Sequence, residues 1–360
     1  MDALAKFCGW TVSSNTARRV CELEGERIER WREGRSAKPA DETAALSQPS
    51  LDPSAPIASS DSTGSPAPSP IAEQAARDGL EQNPSRQTIQ TPAPPSAAAE
   101  TFRQAAGLVE FLTDGAKVNT LDGWKEVRLA LWIKRPEGSP AGVWEWQVRR
   151  LPKPSAAAVL VAMTDSESFA AKWREWSGSL GVTDWTQLTV LADGAEWIWK
   201  EAEANFPGAA GVLDVYHAME HLSKAAKSLF GESTGKSRAW FDVGKRWLLE
   251  DGWDGVCRWI GAVRQECGQS EASVEATQEL IVYFIKHTMH LNYRERLEGG
   301  KSIGSGPVEG AVKQLITKRL KQTGARWRNE NVVRMTTLCS TLLAEDWDAY
   351  WTNAYQCLAI

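Results

Sequence analysis

Three acidic residues stand where carboxylates could bind metal ions. Asp114 closes a short apolar run in FLTDGAKV, and Asp193 directly follows another in QLTVLADGA. The tripeptide Asp-Gly-Ala therefore occurs after both runs. Glu309 lies in the first turn of a predicted helix within IGSGPVEGAVKQLITKRLKQTGARW. Because ligands collect at the carboxyl ends of strands in open α/β sheets, we expect Asp114 and Asp193 to share one edge of a sheet.

Carboxylates of this kind suit phosphoryl-transfer chemistry. Mg²⁺ prefers oxygen ligands and binds through few protein groups together with substrate phosphates. Three carboxylates can hold two Mg²⁺ or Mn²⁺ ions, one activating the attacking oxygen and the other stabilising the leaving oxygen. The sequence therefore predicts that Asp114, Asp193 and Glu309 are both the metal ligands and the catalytic residues.

Each of the three also has an ordinary structural explanation. Asp193 and Glu196 have the spacing of a helix capping box. Asp114 precedes a glycine, and Asp-Gly is a common turn signal. Glu309 is an acid near a helix N-terminus, where the helix dipole favours it, and Lys313 lies one turn further on.

A second motif, DVYHAMEH, carries Asp214, His217 and His221. The two histidines are four residues apart on a predicted helix, a spacing that could bind zinc. The motif lacks the glutamate that directly follows the first histidine in zinc-protease helices. Packed or hydrogen-bonded histidines are the alternative, and the sequence leaves the roles of these three residues open.

Glu309 lies within a basic segment. It runs from Lys301 to Arg334 and is opposed only by Glu309 and Glu330, although the whole chain has a net charge of −5. Such a segment is the electrostatic pattern expected of a surface that binds a phosphate backbone, and its alternative is a solvated helix face. The predicted DNA-binding residues are Lys313, Lys318, Arg319, Lys321, Arg326 and Arg328.

The order of elements predicts an α/β fold with a mixed sheet and flanking helices. Alternating patterns and short apolar runs predict the strands. Helical spacing predicts helices over about 216–297, and a last group of helices is predicted to begin near Pro307. The predicted strands are Leu108–Thr113, Glu126–Lys134, Val143–Arg149, Ala157–Met163, Gln187–Ala192 and Gly211–Val215. A turn is predicted at Asp122-Gly123.

Two regions precede this domain, which we place at 100–355. Residues 1–35 are predicted to form short helices, either a helix-turn-helix or a dimerisation hairpin. Residues 36–99 are rich in Pro, Ala and Ser and lack aromatic residues. Such a segment cannot bury enough apolar surface to offset its ordering entropy, which predicts a disordered linker.

Composition excludes several classes of protein. No run of about 18 apolar residues predicts a membrane helix, and the first residues do not resemble a signal peptide. The six cysteines form no C-x-x-C pair, which argues against a disulfide framework or a cysteine zinc ribbon. A cytoplasmic protein is expected.

Four segments carry a resemblance to a known family. LTDGAKV, VLADGAEWIW, VLDVYHAMEHL and the Glu309 segment, followed by DWDAYW, closely resemble bacterial insertion-sequence transposases of the ISKra type. The resemblance covers about residues 105–352. It implies a ribonuclease-H-like core whose DDE triad is Asp114, Asp193 and Glu309, with a helical insertion at about 216–300 before the Glu309 helix.

The resemblance also implies an activity and partners. The implied activity is metal-dependent cleavage of DNA at transposon ends, followed by joining to target DNA. The implied partner is double-stranded DNA in the nucleoid, on which the chain would assemble as a homodimer. Relatives carry a longer N-terminal region with cysteines suited to a zinc ribbon, so an N-terminally truncated chain is expected.

Two other functions stay open at this stage. An inactive, truncated DNA-binding or regulatory remnant would bind DNA with strong salt dependence but would not cleave it. A carboxylate-pair glycosidase would use tryptophans to stack on sugars, and the basic segment argues against it. Trp197, Trp199 and Trp327 could stack on bases, although we expect the first two to be core residues.

Overall fold

The computed structural model describes residues 14–32, 96–268, 270–343, 347–348 and 350–352. Most of the predicted linker lies outside these ranges, and a helix already begins at Ser96, before the predicted boundary at residue 99. Within the described residues, none of the helices combines the length and apolar character needed to cross a membrane.

The core of the chain is a five-stranded mixed sheet of order β3-β2-β1-β4-β5. β1 pairs antiparallel with β2, and β2 with β3, whereas β1–β4 and β4–β5 are parallel. The carboxyl ends of β4 and β5 therefore lie beside the middle of β1, which continues to Thr120 as a hairpin with β2, so that Asp114 lies within this strand and not at the predicted end near Thr113. The strands are β1 (Leu108–Thr120), β2 (Gly123–Arg135), β3 (Ala156–Ala162), β4 (Leu188–Ala192) and β5 (Ala210–Leu213).

Helices cover both faces of the sheet. They are α1 (Ser14–Arg32), α2 (Ser96–Gln104), α3 (Ser166–Ala170), α4 (Trp173–Ser179), α5 (Glu196–Asn205), α6 (Val215–Phe230), α7 (Gly235–Cys267), α8 (Glu271–Ile285), α9 (Tyr293–Glu298), α10 (Gly306–Val312), α11 (Lys318–Leu320) and α12 (Asn329–Leu343). The α/β prediction is confirmed.

Strand alternation divides the core into two layers. Leu112 and Leu191 belong to a layer between the sheet and helices that include α6, α7 and α10. Phe111 and Trp132 belong to a second layer, on the opposite face of the sheet, that also contains side chains of α2 to α5. Successive residues of a strand point to opposite faces, so each strand contributes to both layers.

One predicted strand is wrong. Residues 143–148 form turns instead of a strand. The Glu145 carboxylate accepts a hydrogen bond from the Gly142 backbone, and the Glu145 carbonyl accepts from Val148 and Arg149. Trp144 and Trp146 would share one face of a strand, but they are 73% and 7% exposed, as turns allow.

Local signals explain where several elements begin and bend. The turn between β1 and β2 is formed by Leu121 and Asp122, one residue before the predicted Asp122-Gly123, and Gly123 begins β2 with a φ of 90°. Gly252 bends α7 with a φ of 55°, and a Cβ there would lie 2.7 Å from the Leu291 carbonyl oxygen. Only glycine tolerates both the positive φ and the close approach.

The N-terminal helix α1 packs against the C-terminal helix α12. Ile28 is fully buried, Glu22 accepts a hydrogen bond from Asn331 at 2.9 Å, and Glu26 lies 3.4 Å from Arg334. The predicted helix-turn-helix stays a prediction, because its first helix lies outside the described residues.

Candidate metal-binding active site

Asp114 and Asp193 lie opposite each other where β1 and β4 run side by side. The two strands pair in parallel as far as Leu112 opposite Leu191, and two more residues along each strand lead to the two aspartates. Asp114 lies within β1, two residues after Leu112, so its side chain projects to the same face as that leucine, whereas Asp193 directly follows the last residue of β4. Neighbouring strands are about 4.8 Å apart, so the sheet itself brings the two predicted ligands together.

Asp214 continues this row on the next strand. β4 and β5 pair as far as Ala192 opposite Leu213, and one more residue on each leads to Asp193 and Asp214. The Asp214 backbone N–H donates to the Ala192 carbonyl at 2.7 Å, which extends the pairing. Three aspartates therefore follow one another along the carboxyl edge of the sheet.

Glu309, in the first turn of α10, lies close enough to Asp114 for their charges to interact. Its carboxylate contacts the Ser305 hydroxyl at 2.9 Å and is otherwise exposed. Burial raises the pKa of Asp114, and the negative charges of Asp193 and Glu309 raise it further. All three predicted ligands therefore share one electrostatic environment.

The capping box proposed for Asp193 is not formed. The residue that caps α5 is Ala195, and the Asp193 carboxylate accepts a hydrogen bond from the Ala195 N–H at 2.9 Å. Glu196 reaches away to Lys286 at 3.0 Å. The Trp199 indole donates to the Asp193 carbonyl at 2.7 Å and fixes the turn. The Asp193 side chain thus retains lone pairs for another ligand.

Asp214 differs from the other two aspartates because its acceptor sites are filled. It is fully buried and caps α6, accepting from the backbone N–H and the ring Nδ1 of His217 at 2.9 and 3.0 Å. It also accepts the backbone N–H and the hydroxyl of Ser305. Burial alone would raise its pKa, but these hydrogen bonds outweigh burial and the pKa is lowered.

His217 is a cation among these carboxylates. Its hydrogen bond to Asp214, together with the negative charges of Asp214 and Asp193, raises its pKa to about 9. It is therefore protonated at neutral pH when no metal is bound. Because Nδ1 faces Asp214, Nε2 is the ring nitrogen left to meet a ligand.

Two overlapping sets of residues could hold a metal ion. Among the described residues, ligand atoms of Asp214, His217 and Glu309 lie within 4.8 Å of one another. Asp214 already accepts four hydrogen bonds, so we regard it as a residue that orients His217 and Ser305, as carboxylates behind metal-bound histidines do. Asp114, Asp193 and Glu309 are not grouped this closely within the described residues, although carboxylate oxygens are the ligands that Mg²⁺ and Mn²⁺ prefer.

The loop before Glu309 is held by a buried ionic cluster. Glu110 on β1 lies 3.3 Å from the Arg135 guanidinium and accepts a hydrogen bond from the Ser302 hydroxyl. Arg296 donates to the Ser302 carbonyl at 2.6 Å. All four side chains are at least nine-tenths buried. The cluster fixes where α10 begins and hence where Glu309 lies.

The predicted DNA-binding residues form an exposed segment that leads away from Glu309. A π-helical turn, Lys313–Thr317, links α10 to α11, and the following residues reach the β1–β2 turn. There Trp327 pairs with Asn119 and Leu121 through its backbone, and its indole donates to the Leu320 carbonyl. All six predicted residues are exposed: Lys313, Lys318, Arg319, Lys321, Arg326 and Arg328.

The structure places the three tryptophans considered for base stacking and the second histidine of the DVYHAMEH motif. Trp197 and Trp199 are partly buried against the second core layer, as expected, and Trp327 is also partly buried. His221 does not join His217 in a zinc site among the described residues. It stacks on Tyr283, with ring centres 3.5 Å apart.

The sequence motif DVYHAMEH contains Asp214 and His217, but no role was predicted for either residue. Their position directly after an apolar strand, like that of Asp193, was the signal that could have placed them at the same edge. Comparison with known proteins adds no identification, since the chain matches neither a protein-family model nor a curated sequence.

Proposed function

We propose that this chain is a DDE transposase of the ISKra type, which cuts DNA strands and joins them to new sites with the help of divalent metal ions. The observation that supports the proposal is that Asp114 and Asp193 each lie two residues beyond the last paired residues of neighbouring parallel strands, and that the charges of Asp193 and Glu309 raise the pKa of Asp114. The basic segment that continues from Glu309 supports DNA as the substrate.

The fold is compatible with the ribonuclease-H-like core that this proposal requires. Three antiparallel strands are followed by two parallel strands, and helices cover both faces. The helices between β5 and α10 would be the insertion before the last catalytic helix. Transposition acts on two DNA ends, so we propose a homodimer on DNA.

Asp114, Asp193 and Glu309 would hold two Mg²⁺ or Mn²⁺ ions, which would activate the attacking oxygen and stabilise the leaving oxygen. The remaining residues prepare this site. Ser305 holds the Glu309 carboxylate, and Asp214 fixes the His217 ring so that Nε2–H is free to donate to a phosphate oxygen. The basic segment would bind the phosphates on either side.

A plasmid-nicking assay tests the proposal without knowledge of the recognised ends. We expect the full chain to nick supercoiled plasmid in Mn²⁺ or Mg²⁺ but not in EDTA. Asp114→Asn, Asp193→Asn and Glu309→Gln should each abolish nicking while the fold is kept. Asp165→Asn, which changes an exposed helix cap, is the matched control and should nick normally.

Two results would count against the proposal. Full nicking by any triad variant would remove that residue from the catalytic set. Salt-dependent retardation of the plasmid by the wild-type chain, with no nicking under either metal, would instead favour the DNA-binding remnant.

A further inference from the structure

A cleft of about 540 Å³ opens directly beside Asp193. Gly194, the next residue, lines it, and so do side chains of α6 and α8. His221 on α6 lies one helical turn beyond His217, a rise of about 5.4 Å. The volume is in the range of small-ligand sites, about 300–1,000 Å³. The cleft therefore adjoins the proposed active site through Gly194, although none of the proposed metal ligands lines it.

Aromatic rings make up the wall of this cleft nearest Asp193. His221 and Tyr283 stack at 3.5 Å with an angle of 16° between their planes. The His287 ring packs against Tyr283 at 5.4 Å. A planar group entering the cleft thus meets ring faces and edges that suit stacking.

The polar atoms of the wall are also suited to a planar, hydrogen-bonding group. The Tyr283 hydroxyl and His287 Nδ1 are buried and have no hydrogen-bond partner among the described residues. His287 as a whole is only 3% exposed. Buried donors and acceptors normally have partners, and a ligand could supply them for this pair only if the rings of the wall shift to expose the two atoms.

The charges at the rim argue for a neutral group instead of a phosphate. Lys224 lies 2.9 Å from Glu279, and Lys286 lies 3.0 Å from Glu196. Each lysine that lines the cleft is thus neutralised by a glutamate that lines it too. A further glutamate, Glu275, would repel an anion.

We infer that this cleft binds one unpaired nucleobase of the DNA strand whose phosphate lies at Asp114, Asp193 and Glu309. The inference rests on the proposed function and deepens it, because it names a substrate subsite. A base reaches the cleft only after leaving the duplex stack, and stacking on the Tyr283–His221 wall offsets part of that cost. The bound base then holds the neighbouring phosphate in place.

The test compares two duplexes that differ in one base. One carries a single bulged 2-aminopurine, and the other has the same sequence fully paired. Binding to the full chain is measured by fluorescence anisotropy in Ca²⁺ buffer, so that cleavage is not required. We expect about tenfold tighter binding of the bulged duplex, the size expected from one base–aromatic stack, and a fall in 2-aminopurine fluorescence on binding.

Two variants should remove this preference in different ways. Tyr283→Ala deletes part of the wall, and Gln278→Trp fills the cleft from an exposed position in its lining. Tyr283→Phe keeps the ring and should keep most of the preference. Val274→Ala is the matched control on the same helix, because this exposed residue lies outside the cleft.

Each outcome separates the inference from the proposed function. Equal binding of both duplexes by the wild-type chain overturns the inference but leaves DNA binding intact. A preference that survives both Tyr283→Ala and Gln278→Trp places the base elsewhere and also overturns it. Absence of binding to either duplex at low salt overturns the proposed function, and the inference with it.

Discussion

The Ser305 hydroxyl oxygen lies 2.9 Å from Oδ2 of Asp214 and 2.9 Å from Oε1 of Glu309. A serine hydroxyl has one proton, so it donates to one of these carboxylates at a time. Asp214 ends β5 and Ser305 precedes α10, so this contact ties the helix that carries Glu309 to the edge of the sheet. Asp214 is thus a residue that positions the site.

Asp214→Asn should therefore destabilise the chain strongly. The amide has one acceptor oxygen in place of two, and its NH₂ group would face donors of His217 or Ser305. We expect a loss of about 3 kcal/mol in the free energy of unfolding, the cost of leaving buried partners unsatisfied. Urea unfolding measures it.

Asp165→Asn provides the comparison for Asp214→Asn. Asp165 also caps a helix and accepts the Ser168 N–H at 2.8 Å, but it is exposed. Its replacement should cost under about 1 kcal/mol, because asparagine is an equally good cap. Similar losses in the two variants would show that Asp214 acts only as a cap.

Asp114→Asn should have the opposite effect on stability. Burial and the charges of Asp193 and Glu309 raise the pKa of Asp114, so its ionised form costs stability that increases as pH rises above the unfolded value of 3.8. Removing the charge should raise the free energy of unfolding at pH 7 by up to about 1 kcal/mol without metal. Thermal unfolding in EDTA measures the gain.

With metal ions present, the wild-type chain should be more stable than the Asp114→Asn variant. We expect Mn²⁺ to bind the folded wild-type chain and to raise its Tm, as any ligand of the native state does. The variant lacks one ligand and should gain less. An equal Mn²⁺-dependent rise in Tm for both proteins would exclude Asp114 from the metal site.

The sequence predicted which aspartates follow the strands, but it did not predict the hydrogen bonds that those aspartates make. Asp114 and Asp193 were found because each ends an apolar run, and strand pairing then places them together with little freedom. The role of Asp214 depends on Ser305, 91 residues later, and no local pattern shows such a contact. The Val143–Arg149 strand failed for a related reason, because turn hydrogen bonds to Glu145 compete with alternation.

The His217–Asp214 pair predicts a pH dependence of stability. The pKa of His217 is raised from 6.5 to about 9 in the folded chain, so its contribution is complete below pH 6.5 and is lost as pH rises through 9. The side chain is 41% exposed and screened by water, so we expect about 1 kcal/mol. The wild-type advantage over His217→Gln should shrink between pH 6 and pH 10.

His221→Gln is the control on the same helix. Burial lowers the pKa of His221, so this residue is neutral above pH 7 and its contribution should not change between pH 7.5 and pH 10. NMR titration of the four imidazoles gives a direct check, with His217 near 9 and His290 near 4. An ordinary pKa for His217 would contradict the ion pair.

The basic segment should determine how DNA binding responds to salt. Each lysine or arginine that contacts a phosphate adds about 0.9 to the slope of log K against log salt concentration for duplex DNA. Replacing both Lys318 and Arg319 with alanine should therefore lower the slope by about 2 and weaken binding to any sequence alike.

Anisotropy titrations from low to moderate salt measure the slope, and Lys153→Ala combined with Lys200→Ala is the matched control. These residues are also exposed lysines, but they lie outside the segment. An equal change in slope for the two double variants would mean that binding follows net charge and that the segment is not the DNA interface.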